Sequence, residues 1–141
     1  MLRTMTVEDN LPFREAFKGL LLSEFPSMEV IEAANGEEAF KGLASYPIDL
    51  VFMDIGLPGE SGLELTRKIK ANYKDVTIAM LTSHDLAEYR EAAARSGADC
   101  FISKDSMKWD QLSAMVKCFQ RAKDSIGLKP SCVRLASEGS Q

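Results

Sequence analysis

The sequence predicts a doubly wound α/β fold, a five-stranded parallel sheet with helices on both faces. Three observations predict it. Apolar runs of strand length alternate five times with segments of helical periodicity, and strict strand–helix alternation implies a parallel sheet. One of those runs, IDLVFM at 48–53, is apolar at nearly every position, as a strand covered on both faces must be. A chain of 141 residues, 45% hydrophobic and 27% charged, suits one globular domain around one core.

The elements follow in order. Residues 2–7 read as a short strand ending in Glu8-Asp9-Asn10. Pro12 sits where a first helical turn accepts proline, and Phe13, Phe17, Leu20 and Leu21 recur at helical spacing to about residue 24. Asp9 also has the character of an N-cap for that helix. Pro26 stops it. Residues 28–34 form the second strand, Asn35-Gly36 turns the chain, and Glu37 and Glu38 open a helix to about residue 45, at its positive end. Tyr46-Pro47 breaks the pattern before strand three at 48–53. A turn-rich loop, Asp54-Ile55-Gly56-Leu57-Pro58-Gly59, follows. Ser61 and Glu64 then make a capping box, and Leu65 and Ile69 carry a helix to about residue 72. Residues 76–81 are strand four, closing in Thr82-Ser83-His84-Asp85. Leu86, Tyr89, Ala92 and Ala93 mark a helix that stops near Gly97. Cys100–Ser103 is strand five, Lys104 follows it, and Trp109, Leu112, Met115, Val116 and Phe119 stripe the last helix. Right-handed crossovers leave few topologies for such a chain. From about Ser125 to Gln141 periodicity is lost and Ser and Gly are frequent, so the expected organisation is a domain at 1–124 and a disordered tail or linker stub at 125–141.

Composition excludes several classes. A net charge of −4 with scattered Lys and Arg gives no basic face for nucleic acid. The three cysteines, Cys100, Cys118 and Cys132, are odd in number, lack CxxC spacing and have one histidine, His84, for company. That argues against a disulfide framework and against zinc, and for reduced thiols in a cytoplasmic protein. No apolar run of about 18 residues exists to span a membrane, and the N-terminus lacks a signal-peptide plan.

Open α/β sheets bind ligands beyond the carboxyl ends of their strands. Here strand one ends in Glu8 and Asp9, strand three in Asp54, strand four in Thr82 and strand five in Lys104, whereas strand two ends without charge. Three carboxylates drawn together repel one another and call for a cation. Oxygen ligands without histidine or thiolate select a hard ion, and Mg²⁺ is the natural candidate. With the Lys104 amine and the Thr82 hydroxyl, these are parts for holding a phosphoryl group in transfer. One carboxylate is then free to act as nucleophile, giving an acyl phosphate.

At these residues the sequence resembles the response-regulator receiver family, over roughly residues 1–124. The matching pattern is distributed: EDN after strand one, MDIGLPGESG after strand three, LTS after strand four and FISK at strand five. Each piece is weak alone, and together at the right strand ends they are specific. The resemblance implies the flavodoxin-like strand order 2-1-3-4-5. It implies Asp54 as phosphoacceptor, Asp9 with Glu8 as the acidic pair for Mg²⁺, and the Gly56 backbone carbonyl completing the protein's share of the metal shell. Thr82 resembles the switch hydroxyl, Lys104 the phosphate-binding lysine and Phe101 the switch aromatic, whose ring moves inward in the family. The implied function is a two-component signalling switch, not an enzyme acting on external substrates. A sensor histidine kinase or small phosphodonor would modify Asp54, and the face of helix four, strand five and helix five would bind a partner or a second copy.

Two departures stand out. Glu8 replaces the commoner first Asp, so its reach to the metal is expected to run through water. Lys104 is followed by Asp105, where many receivers carry a cis proline; a non-proline cis bond costs about 2.5–4 kcal/mol, so a trans bond is expected. The SKDS ending is similar to receivers of the NarL/LuxR branch, which usually carry a C-terminal DNA-binding domain. His84 either borders the phosphoryl site or is a solvated loop residue. Three other readings compete. A flavin binder would need a Ser/Thr/Gly-rich loop where Glu8-Asp9-Asn10 would repel phosphate. An aspartyl phosphohydrolase of the haloacid-dehalogenase type would need a second Asp where Gly56 stands. A degenerate receiver, working by contact alone, would not need the intact residue set.

Overall fold

A computed structural model describes residues 2–83, 87–105 and 108–126. Five strands and five helices alternate: β1 (Arg3–Val7), α1 (Leu11–Glu24), β2 (Glu29–Ala33), α2 (Gly36–Ser45), β3 (Leu50–Asp54), α3 (Gly62–Asn72), β4 (Thr77–Thr82), α4 (Ala87–Ser96), β5 (Cys100–Ser103) and α5 (Trp109–Ile126). The sheet is parallel throughout, in the order β2-β1-β3-β4-β5. The fold class and strand order are those expected.

Alternation along the strands divides the core in two. Met5, Val7, Val51, Met53, Ile78, Met80 and Phe101 pack with residues of α2, α3 and α4 on one face. Leu50, Phe52, Ala79, Leu81, Cys100 and Ile102 pack on the other with Phe17 and Leu21 of α1 and Leu112, Met115, Val116 and Phe119 of α5. Every residue of β3 is buried, which explains why its sequence is a continuous apolar run rather than an alternation.

Element ends differ from the expected ones in instructive ways. The N-cap of α1 is Asn10, whose Oδ1 accepts the Phe13 N–H at 3.0 Å. Asp9 is not the cap and stays exposed. Asn35 caps α2 by accepting the Glu38 N–H at 2.9 Å, and the Glu38 carboxylate reaches back to the Ala34 N–H at 2.9 Å. At α3 the Ser61 hydroxyl accepts the Glu64 N–H at 3.3 Å, while the Glu64 carboxylate pairs with Arg67 at 2.5 Å. β3 runs through Asp54, which pairs with Leu81 in register, and β4 runs through Thr82, paired with Ser103. Gly97, with φ of 102°, turns the chain out of α4 as expected. The Lys104–Asp105 peptide is trans. α5 continues through Ile126, two residues into the stretch read as tail; residues 127–141 lie outside the described residues.

Candidate functional site

The carboxyl ends of β1, β3 and β5 meet at one pole of the sheet. Glu8 prolongs β1, since its N–H still donates to Ala33 O at 2.9 Å. By the same alternation that sorts the core, Glu8, Asp54 and Lys104 fall on the side of the sheet covered by α1 and α5, and Thr82 and Phe101 on the other. The expected polar set is therefore split between two faces.

Three carboxylates converge on the first side. Glu8, Asp9 and Asp54 each offer an oxygen within 4.8 Å of the others. Glu8 is 4% and Asp54 8% exposed, whereas Asp9 faces solvent. The Lys104 ammonium donates a short hydrogen bond to Glu8 Oε1 and lies 3.6 Å from Asp54 Oδ1. Glu8 Oε2 accepts the Asn10 N–H at 3.1 Å, and Asp54 Oδ1 accepts the Gly56 N–H at 3.2 Å. Burial pushes the Glu8 carboxyl above its ordinary value, against the pull of Lys104 and the Asn10 N–H, and the neighbouring Asp54 carboxyl adds to the rise. Lys104 thus offsets part of the negative charge that this crowding creates.

The donor set fits a hard cation, because it is oxygen only and carries excess negative charge. An octahedral ion with metal–oxygen distances of about 2.0–2.1 Å holds adjacent ligands about 3 Å apart. The three oxygens lie within 4.8 Å of one another, and Glu8 already serves Lys104. Glu8, Asp9 and Asp54 are the side chains among the described residues that could hold such an ion.

On the second side, Thr82 is 2% exposed and its carbonyl accepts the Lys104 N–H at 2.7 Å. That bond ties the end of β4 to the residue carrying the ammonium. Phe101 is 5% exposed, packed in the core, with the Arg90 guanidinium of α4 at 4.9 Å from its ring centroid. His84 lies outside the described residues.

Three neighbours escaped the sequence reading. Phe13, read there as part of a helical stripe, lies under Lys104 Nζ, 4.3 Å from its ring centroid. Arg14 donates to the Glu8 carbonyl at 2.7 Å and pairs with Glu32 at 3.2 Å, holding the loop after β1 against β2. Gly62 starts α3 directly against the backbone of Asp54, where a methyl group would lie 2.1 Å from the Asp54 carbonyl oxygen. No local signal pointed to Phe13, since the lysine on its ring lies 91 positions later. For Gly62 the only signal was a glycine at a helix start.

A parallel 2-1-3-4-5 sheet with three carboxylates and a lysine at its strand ends is the architecture of receiver domains. The model of the response regulator receiver domain matches residues 4–117, and the chain belongs to that family, the signalling modules of two-component systems. Transcriptional regulatory protein DegU of Brevibacillus brevis is 32% identical over 117 residues, covering 82% of this chain and 49% of the relative. Response regulator UvrY of Escherichia coli (strain K12) is 33% identical over 116 residues, covering 82% and 53%. The chain spans about half the length of the curated relatives it matches. Among solved structures, response regulator protein TrrA of Thermotoga maritima, in complex with Mg(2+)-BeF, is 38% identical with a TM-score of 0.72, covering 83% of this chain and 97% of that one. A LuxR-family two-component response regulator from Aurantimonas sp. SI85-9A1 is 27% identical with a TM-score of 0.74, covering 99% and 98%. Among the described residues no helix is long and apolar enough to cross a membrane.

Proposed function

We propose that this domain is a phosphorylation-dependent switch in which Asp54 is the phosphoacceptor. The observation that carries the reading is the setting of Asp54: buried, within reach of the Lys104 ammonium and beside two further carboxylates at the sheet's carboxyl pole. In transfer from a phosphohistidine, an Asp54 oxygen attacks phosphorus, the P–N bond breaks, and the imidazole leaves with the bond's electron pair. Lys104 neutralises charge on the phosphoryl oxygens, and the Gly56 N–H, already on Asp54 Oδ1, holds the carboxylate in line. A Mg²⁺ ion, held by Asp9, Asp54, the Gly56 carbonyl and Glu8 through water, would supply the remaining neutralisation.

The output follows from the split between faces. A phosphoryl group on Asp54 recruits the Thr82 hydroxyl across the strand end, and Phe101, on the same side as Thr82, answers with α4. The face of α4, β5 and α5 is then the one that binds a partner or a second copy. The donor is a sensor histidine kinase in the cytoplasm, and DegU, a transcriptional regulatory protein, favours a transcriptional output. TrrA, solved with Mg(2+)-BeF, supports Mg²⁺ as the cofactor.

The test is labelling by acetyl phosphate and Mg²⁺, followed by intact mass. Labelling of wild type that disappears in Asp54→Asn and on chelation is the expected result. Equal labelling of wild type and Asp54→Asn would overturn the assignment of the acceptor.

A further inference from the structure

The Lys104 ammonium has carboxylates on one side and an aromatic face on the other. The face belongs to Phe13, in the first turn of α1. This ring is not isolated. It stacks on Phe17, with centroids 5.7 Å apart and planes at 13°, and Phe17 meets Phe52 edge to face at 4.9 Å and 80°. Phe17 and Phe52 are 2% and 1% exposed. Phe52 stands two residues before Asp54 on the same face of β3. The strand that presents Asp54 therefore also anchors the rings beneath Lys104.

We propose that Phe13 is a positioning residue for Lys104, holding the ammonium over the carboxylates through its ring face. This rests on the proposed phosphoacceptor function. A lysine side chain has four rotatable bonds and about 2 kcal/mol of rotamer entropy, and carboxylates on one side alone do not stop it swinging toward solvent. A ring face attracts a cation through its quadrupole, more strongly when water is excluded. Here the Lys104 side chain is only 16% exposed. The ring leaves the N–H donors free to point at the carboxylates, and at phosphoryl oxygens once these arrive. An aliphatic side chain would fill the same space without that attraction, which separates positioning from packing.

The experiment compares Phe13→Leu, Phe13→Tyr and wild type in the full chain. The rate of acetyl phosphate labelling is measured against donor concentration. Phe13→Leu is expected to slow labelling about 3- to 10-fold, through weaker donor binding at unchanged Mg²⁺ affinity. Phe13→Tyr restores the rate to within about twofold, since its ring face is retained. In a Lys104→Gln background, Phe13→Leu has no further effect. Equal slowing in Leu and Tyr variants, or slowing of the same size without Lys104, would overturn the proposal. A second readout does not depend on phosphorylation. The Lys104 ε-methylene protons, followed by NMR in lysine-labelled protein, lie upfield from the ring current in wild type and Phe13→Tyr. They return to the ordinary position in Phe13→Leu. Ordinary shifts in wild type would overturn the proposal. Upfield shifts in a protein that never labels would instead sink the phosphoacceptor reading and leave the contact standing.

Discussion

Replacing Gly62 by alanine tests the joint between the β3 loop and α3. The added methyl group would lie 2.1 Å from the Asp54 carbonyl oxygen, 2.8 Å from its carbonyl carbon and 2.9 Å from Ile55 Cα. Carbon reaches favourable contact only at about 3.5 Å, so the overlap exceeds about 1 Å. All three atoms are backbone, and no side chain can rotate away to relieve it. Relief must come from withdrawing α3, which strains the Gly62 N–H bond to Ile55 O at 2.9 Å, or from displacing the peptide that carries Asp54. Overpacking costs about 1–3 kcal/mol and a compromised buried hydrogen bond about 1–3 more. The expected loss is therefore about 2–6 kcal/mol, and a loss of about 4 kcal/mol at a urea slope of about 2 kcal/mol/M lowers the midpoint by about 2 M. A 1 Å displacement of Asp54 should also reduce acetyl phosphate labelling about 100-fold. Gly19, in the middle of α1 with nothing near its Cβ position, is the control: Gly19→Ala should stabilise by about 0.5–1 kcal/mol. Urea unfolding followed by circular dichroism reads both. A Gly62→Ala protein within about 0.5 kcal/mol of wild type would refute the close-approach argument.

Two further outcomes follow from the charge network. The folded protein holds the Glu8 proton more tightly than the unfolded chain does, since its carboxyl is raised from 4.5, chiefly by burial. Its contribution to stability is present below that value and is lost as pH rises through the raised one. In metal-free buffer the stability of Glu8→Gln relative to wild type should therefore grow from pH 4.5 toward neutrality, and a pH-independent difference by urea unfolding would contradict the assignment. Asp49 Oδ2 accepts the Arg3 N–H at 2.9 Å and the Lys123 ammonium at 2.7 Å. Asp49→Ala should cost about 1–3 kcal/mol by leaving the Arg3 amide without its acceptor, and a change below about 0.3 kcal/mol would show that water replaces the carboxylate without loss.

What the sequence disclosed was periodic or terminal. The run at 48–53 gave a strand covered on both faces, and the residues at strand ends gave Glu8, Asp9, Asp54, Thr82 and Lys104 as a group. Helix stops were legible in Pro26 and Gly97 because those residues act on their own backbone. Caps were less legible: Asp9 and Asn10 are both good N-caps, and the choice between them depends on where β1 releases the chain. Contacts between elements were not legible. Nothing local to Phe13 says that a lysine 91 positions later will rest on its ring, and nothing local to Gly62 says that the peptide of Asp54 will press against it. The division of the polar set between two faces was implicit in the alternation, but it becomes visible only once the register β1-β3-β4-β5 is known.

The bond from Lys123 to Asp49 fixes the end of α5 beside the amino end of β3, across the sheet from Asp54. With 18 residues, α5 spans about 27 Å. The last turn of that helix lies at the pole opposite the acidic pocket. A label fixed to a side chain of that last turn would stand away from the acidic pocket.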